Sequence, residues 1–118
     1  MTTPPFRINL ADGSVSFSYP PEAAQELRQH LGDLIQRLKQ AATTATSGDR
    51  PTPQPSMDYR YTGDIFLEIF CNPNIWPSPF AARVLVTLRD DRIRLSTEAE
   101  LSRLIEDVNQ YLDETLPQ

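Results

Sequence analysis

The sequence has little of the chemistry from which most active sites and metal sites are built. It contains one cysteine, Cys71, and one histidine, His30. A single cysteine excludes an internal disulfide, and one cysteine with one histidine is too small a set for a structural zinc site. The four glycines are scattered, so the chain has no glycine-rich phosphate-binding loop. These shortages predict a protein that is not an enzyme and binds no metal or cofactor.

Long apolar runs and an excess of positive charge are also missing. No run reaches the length of a membrane-spanning helix, and no basic start followed by an apolar run indicates a signal peptide. These features favour a cytoplasmic protein without a membrane span. The net charge of -5 at pH 7 opposes unspecific binding to nucleic acid.

Length and composition are those of one globular domain spanning residues 1–118. A chain of 118 residues buries enough surface to fold without disulfides or metals. Its 11 prolines are about twice the usual share, and proline is excluded from most helix and strand interiors. Unusual features are therefore expected in the connections.

The first half, residues 6–42, is predicted to be a ββα unit. Two alternating runs flank Asp12-Gly13, a dipeptide typical of a two-residue type I′ hairpin. Pro21 then suits the first turn of a helix that continues at helical apolar spacing to about Ala42. The predicted hairpin pairs, from the turn outward, are Leu10 with Val15, Ile8 with Phe17, and Phe6 with Tyr19.

Residues 43–57 are predicted to form a flexible linker. Positions 43–56 contain no large apolar side chain, so burial cannot offset the entropy lost on ordering them.

The second half, residues 64–114, is predicted to be a βββα unit. The β-rich run 64–70 is typical of a central strand. A hairpin around Asp90-Asp91 follows, with Leu88 opposite Ile93 and Val86 opposite Leu95. The motif TEAE matches a capping box in which Thr97 and Glu100 begin a helix that runs to about Glu114.

This element order, ββα-β-ββα, predicts an α+β fold. Runs of strands with helices behind them indicate an antiparallel sheet of about five strands, covered on one face by two amphipathic helices. The expected architecture is a two-layer sandwich.

Two potential sites of chemistry are weaker than their structural alternatives. Cys71 directly follows a strand and could be a nucleophile with His30 as its base, but free cysteine usually behaves as a small buried apolar residue. Asp64, Asp90 and Asp91 match no metal-ligand spacing, and turns favour aspartate in any case.

The loop FCNPNIWPSPFAAR, residues 70–83, is the first candidate binding feature. Ile75, Trp76 and Phe80 lie among three prolines that would stiffen it and reduce the entropy lost when it binds. Alternatively, Trp76 and Phe80 fold back over one end of the core. The Trp76-Pro77 bond is of the aromatic-proline kind that can adopt the cis isomer.

A set of arginines is the second candidate. The hairpin register places Arg83, Arg89, Arg92 and Arg94 on the face of the sheet that points away from the core, and Arg7 on the same face. The predicted second helix, 97–116, carries six acids against Arg103, so we expect an acidic back and a basic front. Solubility and protection of sheet edges are the alternative reason for such arginines.

The two candidates together suggest a small protein-protein interaction domain, an adaptor or assembly factor, that binds an acidic or mixed protein surface. The alternative from another class is binding of single-stranded nucleic acid by arginines and aromatics on the open sheet. Homodimerisation through the sheet is a third reading. The residues predicted to bind the partner are Ile75, Trp76, Phe80, Arg83, Arg89, Arg92 and Arg94.

Overall fold

The computed structural model describes residues 3–47 and 53–115. It has an α+β fold with two helices and six strands, and every pair of neighbouring strands is antiparallel. The strands are β1 (Phe6–Leu10), β2 (Gly13–Phe17), β3 (Met57–Thr62), β4 (Phe66–Cys71), β5 (Arg83–Arg89) and β6 (Arg94–Glu100). The helices are α1 (Pro21–Ser47) and α2 (Leu101–Thr115), and one 3-10 turn spans Pro73–Ile75. Among these residues, neither helix is long and apolar enough to cross a membrane.

The strands form two sheets where one of about five strands was expected. The order in the larger sheet is β3-β4-β5-β6, and β1 and β2 pair only with each other. The hairpin packs through β1 against α2. There the Asp107 carboxylate accepts bonds from the Asn9 backbone N–H at 2.8 Å and the Asn9 side-chain amide at 2.7 Å. Because the hairpin leaves the larger sheet, Arg7 is not on the face that carries the other arginines.

The strand β3 was not predicted. Met57 and Tyr59 are buried and Asp58 and Arg60 are exposed, which is the alternation of a strand with one face against the core. The strand begins at the last residue of the predicted linker and adds a fourth strand to the second half. The prediction that 64–70 forms a central strand is confirmed, since β4 lies between β3 and β5.

Helix α1 is longer than the sequence pattern indicated. It begins at Pro21 as predicted but continues past Ala42 to Ser47. Alanines near this end favour the extension, because alanine is the best helix former. Within it the Thr43 hydroxyl donates to the Lys39 carbonyl at 2.8 Å. The predicted linker 43–57 is therefore helical at its start, while residues 48–52 lie outside the described parts of the chain.

Both hairpins keep the predicted alternation within their strands but have a different register, and Ile93, predicted opposite Leu88, precedes β6 and is 64% exposed. In the first, Ile8 is opposite Val15 and Phe6 is opposite Phe17. In the second, Leu88 is opposite Leu95, so the turn is centred one residue later than predicted. Asp90 explains the second shift: its carboxylate accepts the backbone N–H groups of Arg92 and Ile93, both at 2.8 Å, and so fixes a turn over Asp91-Arg92.

The capping box predicted at Thr97 is wrong. Residues 94–100 form β6, in which Thr97 is opposite Val86 and Glu100 is opposite Arg83. Helix α2 starts only at Leu101, whose N–H donates to the Ala82 carbonyl at 3.1 Å and continues the ladder to the helix start. Strand pairing with β5 satisfies the backbone groups that the capping box would have satisfied.

One apolar cluster joins these elements into a core. It unites the inward side chains of the larger sheet with the buried sides of both helices and the hairpin, including Phe6, Leu27, Leu67, Val86 and Leu104. The helices therefore cover one face of the larger sheet. Its other face is uncovered by any described element.

Candidate partner-binding surface

The uncovered face of the larger sheet, which we call the open face, has a defined side-chain layout. Because neighbouring strands are in register, its residues form rows that cross the sheet. Each row is given in the order β3, β4, β5, β6. The first row is Thr62, Phe66, Arg89 and Arg94, and the second row is Arg60, Glu68, Thr87 and Ser96. The third row is Asp58, Phe70, Leu85 and Glu98, and the far end has only Arg83 on β5 and Glu100 on β6.

The first row is the basic end of the open face. Arg89 and Arg94 are directly opposite each other, and Arg92 lies in the adjoining turn. The Arg89 guanidinium lies 4.5 Å from the centre of the Phe66 ring, a cation-π contact that also covers the ring. Within the described residues, no carboxylate forms a salt bridge with these three arginines. They are therefore available to an external anionic group.

Asp90 holds this basic end in place. Backbone N–H groups of Ile93 and then Arg92 lower the pKa of its carboxyl, because hydrogen bonds favour the charged form. The charge of Asp90 is thus directed into the turn, while the arginine side chains extend from it.

The side chains of the second row bind one another or a close neighbour. Arg60 binds Glu68 at 2.9 Å and Asp58 at 3.0 Å, and these bonds raise the pKa of the guanidinium. Beside it, Thr87 is buried although it is on the open face, and its hydroxyl is 3.1 Å from that of Ser96. Side chains of this row satisfy one another and leave few groups free for a partner.

The third row contains the apolar centre of the face. Phe70 and Leu85 are cross-strand neighbours and are 38% and 43% exposed. Large apolar side chains on adjacent strands form a contiguous patch, unlike isolated exposed apolar residues, which are common.

The open face ends in acidic residues, which corrects the prediction of a basic front and an acidic back. Glu98 and Glu100 were assigned to the second helix but lie on β6. Arg83 is 3.6 Å from Glu98 and directly opposite Glu100. Asp107, also counted as an acid of the rear surface, is buried against Asn9. The charge gradient runs along the open face.

The proline loop lies beyond this acidic end and is built on asparagine side chains. The Asn72 side chain accepts the Asn74 backbone N–H at 3.0 Å, which caps the 3-10 turn. Asn74 then bonds both backbone groups of Gln54, accepting its N–H and donating to its carbonyl at 2.8 Å. Arg37 adds bonds to the carbonyls of Pro55 and Ser56. The end of the predicted linker is thus fastened to the loop and to α1.

The aromatic residues of the loop have different roles. Trp76 is half-buried against the core, and its side chain bonds the thiol of Cys71. Phe80 is 89% exposed and Ile75 is 65% exposed. The loop therefore combines both readings of the sequence: the tryptophan packs onto the domain, and Phe80 and Ile75 point outward. The Trp76-Pro77 bond is trans.

The predicted binding residues do not form one cluster. Arg83 lies next to the loop, whereas Arg89, Arg92 and Arg94 are at the other end of β5, about 20 Å away along the strand. The Phe70 and Leu85 patch lies between them. Sequence reasoning missed Asp58, Arg60 and the location of Glu98; the alternation in 57–62 was the signal that could have found the first two.

The two residues considered as a nucleophile and its base, Cys71 and His30, lie on different elements and differ in exposure. Cys71 is buried, and burial raises the pKa of its thiol to about 11, so it is protonated and unreactive at neutral pH. His30 is on the exposed side of α1, with its ring 5.4 Å from that of Tyr59. In residues 3–47 and 53–115, no three potential metal-ligating side chains converge.

No protein-family model matches the chain, and neither the curated proteins nor the solved structures that were searched include a significant match.

Proposed function

We propose that this protein is a non-enzymatic interaction domain, an adaptor or assembly factor, that binds another protein through the open face and the proline loop. The observation that carries the proposal is the uncovered sheet face with an apolar centre, Phe70 and Leu85, between ends of opposite charge. Protein interfaces commonly have such a centre, with polar groups around it that set orientation.

The charge layout specifies a mixed partner surface. Acidic groups of the partner would meet Arg89 and Arg92, and basic groups would meet Glu98 at the other end. Between them an apolar side chain would cover Phe70 and Leu85. Opposite charges at the two ends would also determine which way round the partner binds, because reversal would place like charges together.

The proline loop would add a second contact at the acidic end. Phe80 and Ile75 point outward from a loop that is held by prolines, by the Asn74 bonds to Gln54 and by the packing of Trp76. A loop that is already ordered loses little entropy on binding, so its apolar side chains contribute more of their burial energy.

A pull-down from the native host, read by mass spectrometry, would identify the partner. The decisive variants are Phe80→Ala, Leu85→Lys and the charge reversal Arg89→Glu with Arg92→Glu. Each should reduce recovery of the same partner, since each changes a different part of the surface. Trp76→Ala is a poorer test because Trp76 also packs on the core.

Arg28→Glu is the matched control. Arg28 is exposed on α1, so the reversal changes the same kind of charge away from the open face. If all three open-face and loop variants, with folding verified by circular dichroism, recover the partner as well as the control does, the proposal is wrong.

Single-stranded nucleic acid is the second candidate, and the three arginines without salt bridges favour it. Against it, Arg89 covers Phe66, and Phe70 lies opposite Asp58 and two residues from Glu68 on β4, so neither ring presents a free face beside positive charge. Fluorescence anisotropy with random single-stranded RNA at low salt decides between the classes. Salt-sensitive binding at micromolar protein would favour this candidate.

A cytoplasmic location is also part of the proposal. Cys71 is unpaired and buried, which suits a reducing compartment. Fluorescence microscopy of the tagged protein in its host would test this location.

A further inference from the structure

The outer edge of β6 pairs with no described strand, although the first hairpin lies near it at Glu100. The strand is last in the sheet order, and β1, which contacts it, belongs to the other sheet. In the described chain no backbone hydrogen bond joins the two. A cavity of about 320 Å³ lies between the hairpin tip, at Leu10 and Ala11, and Glu100 at the end of β6.

The hydrogen-bond pattern of β5 and β6 shows which groups face this edge. Leu101 donates to Ala82 at one end of the ladder, and Asp90 donates to Ile93 at the other. Antiparallel pairs alternate between bonded and non-bonded, so Leu95, Thr97 and Ala99 bond to β5. The backbone N–H and C=O groups that point to the free edge are those of Arg94, Ser96, Glu98 and Glu100.

This edge lacks several of the features that usually prevent strand pairing, and its three charged side chains, Arg94, Glu98 and Glu100, are of both signs. Residues 94–100 contain no proline and no lysine, and their register with β5 has no bulge. The opposite edge, β3, is different. Pro55 precedes it, and its only arginine, Arg60, is already bound to Asp58 and Glu68.

A second copy of the chain fits the β6 edge by charge. We propose that two copies pair their β6 strands antiparallel around a two-fold axis at Thr97. Ser96 then lies opposite the partner's Glu98, and Arg94 lies opposite the partner's Glu100. Each of these pairs can exchange backbone hydrogen bonds and has both side chains on the open face.

The neighbouring registers are less favourable. Centring the axis on Glu98 places the two Glu98 side chains opposite each other, and like charges directly opposite are destabilising. Centring it on Ser96 leaves Glu100 without a pairing residue. Centring it on Ser96 also gives Arg94 a carboxylate, the partner's Glu98, but only the Thr97 register pairs all four residues of the edge, with the partner's Glu100 opposite Arg94.

The dimer shares Arg94 and Glu98 with the binding surface proposed above and leaves its other main groups unused. Arg89, Arg92, Leu85 and Phe80 are not on the β6 edge, so the two copies would present two such surfaces on one continuous sheet. Ser96→Pro therefore tests the edge separately from the open-face variants, whereas Arg94→Glu changes both surfaces.

Sedimentation over a range of concentrations tests the dimer. The wild type should approach twice the 13.4 kDa of one chain as concentration rises. Ser96→Pro should raise the dimer dissociation constant at least about tenfold, because the ring removes an outward N–H without removing a bond to β5. Ser96→Ala is the matched control, since both variants lose the hydroxyl contact with Thr87.

Hydrogen exchange shows, residue by residue, which amides become bonded in the dimer. In the dimer the amides of Arg94, Ser96 and Glu98 should gain protection from hydrogen exchange with rising concentration. Those of Thr97 and Ala99 should be protected at all concentrations, because they bond to β5 within each chain.

Charge exchange tests the register. Arg94→Glu and Glu100→Arg should each weaken the dimer, and combining them should restore it, because each position again faces its opposite charge. The Arg94 and Glu100 variants also test the dimer if Ser96→Pro does not fold. A chain that stays monomeric at about 1 mM, or a dimer that none of these variants weakens, would overturn the inference.

Discussion

The bond between the hairpin and α2 allows a quantitative prediction. Asp107 is only 7% exposed, and its two oxygens accept the backbone and side-chain N–H groups of Asn9, which is 98 residues away in the chain. Asp107→Ala removes both acceptors and leaves a backbone N–H without its partner. The hairpin then retains its apolar contacts with α2 but loses its polar fastening.

The magnitude follows from the two bonds. A hydrogen bond to a charged group contributes about 1.5 to 3 kcal/mol, and the bonds are partly exposed at Asn9, so we expect Asp107→Ala to cost about 3 kcal/mol. Asn9→Ala should cost about half of that, because the backbone N–H still donates to Asp107. The cost of Asp107→Asn should lie between these two values, since an amide has one oxygen for the two donors.

Urea unfolding measures these values. With a slope of about 1.5 kcal/mol per M, Asp107→Ala should lower the midpoint by about 2 M. The double variant should cost less than the sum of the single ones, because both remove the same side-chain bond. Costs below about 0.5 kcal/mol for Asp107→Ala, or strictly additive costs, would refute the reasoning.

Two further predictions concern the core. The Cys71 thiol has an ordinary pKa of 9.0 when unfolded and a pKa of about 11 when folded. Between these values unfolding releases a proton, so the free energy of unfolding falls as pH rises. In chemical unfolding from pH 9 to 11, the free energy of unfolding of Cys71→Ala should fall less than that of the wild type. Gly63→Ala should destabilise the protein by about 1 to 2 kcal/mol, because the new Cβ would lie 2.1 Å from the Tyr61 hydroxyl and displace a ring packed on Tyr19. Gly32→Ala, in open space on α1, should instead stabilise it by about 0.5 to 1 kcal/mol in thermal unfolding, and equal effects at the two glycines would contradict the steric argument.

Local patterns in the sequence predicted the faces of the strands correctly. Alternation assigned Arg83, Arg89 and Arg94 to the face that points away from the core, and all three are exposed on that face. The start of α1 at Pro21 was also predictable, because proline suits the first turn of a helix, where its missing N–H is not needed. Such features depend on side chains within a few positions of each other.

The candidate surface was predicted only in part. The exposure of Phe80 and Ile75 agrees with the binding reading of the loop, but Trp76 packs on the core. The carboxylates of Glu98 and Glu100 were assigned to a helix surface, since TEAE is a good capping box by itself. Pairing with β5 overrode that local preference.

By itself the sequence determined the α+β class, the two amphipathic helices and which side of each predicted strand is buried, because these follow from periodicity within a segment. Only the tertiary structure decided the strand registers, the separation of the first hairpin from the larger sheet, and the layout of charge along the open face. Moving a turn by one residue changes every cross-strand neighbour but keeps the alternation, so the pattern cannot distinguish the two registers. Distant contacts such as Asn9 with Asp107, and local turn bonds such as those of Asp90, make that choice.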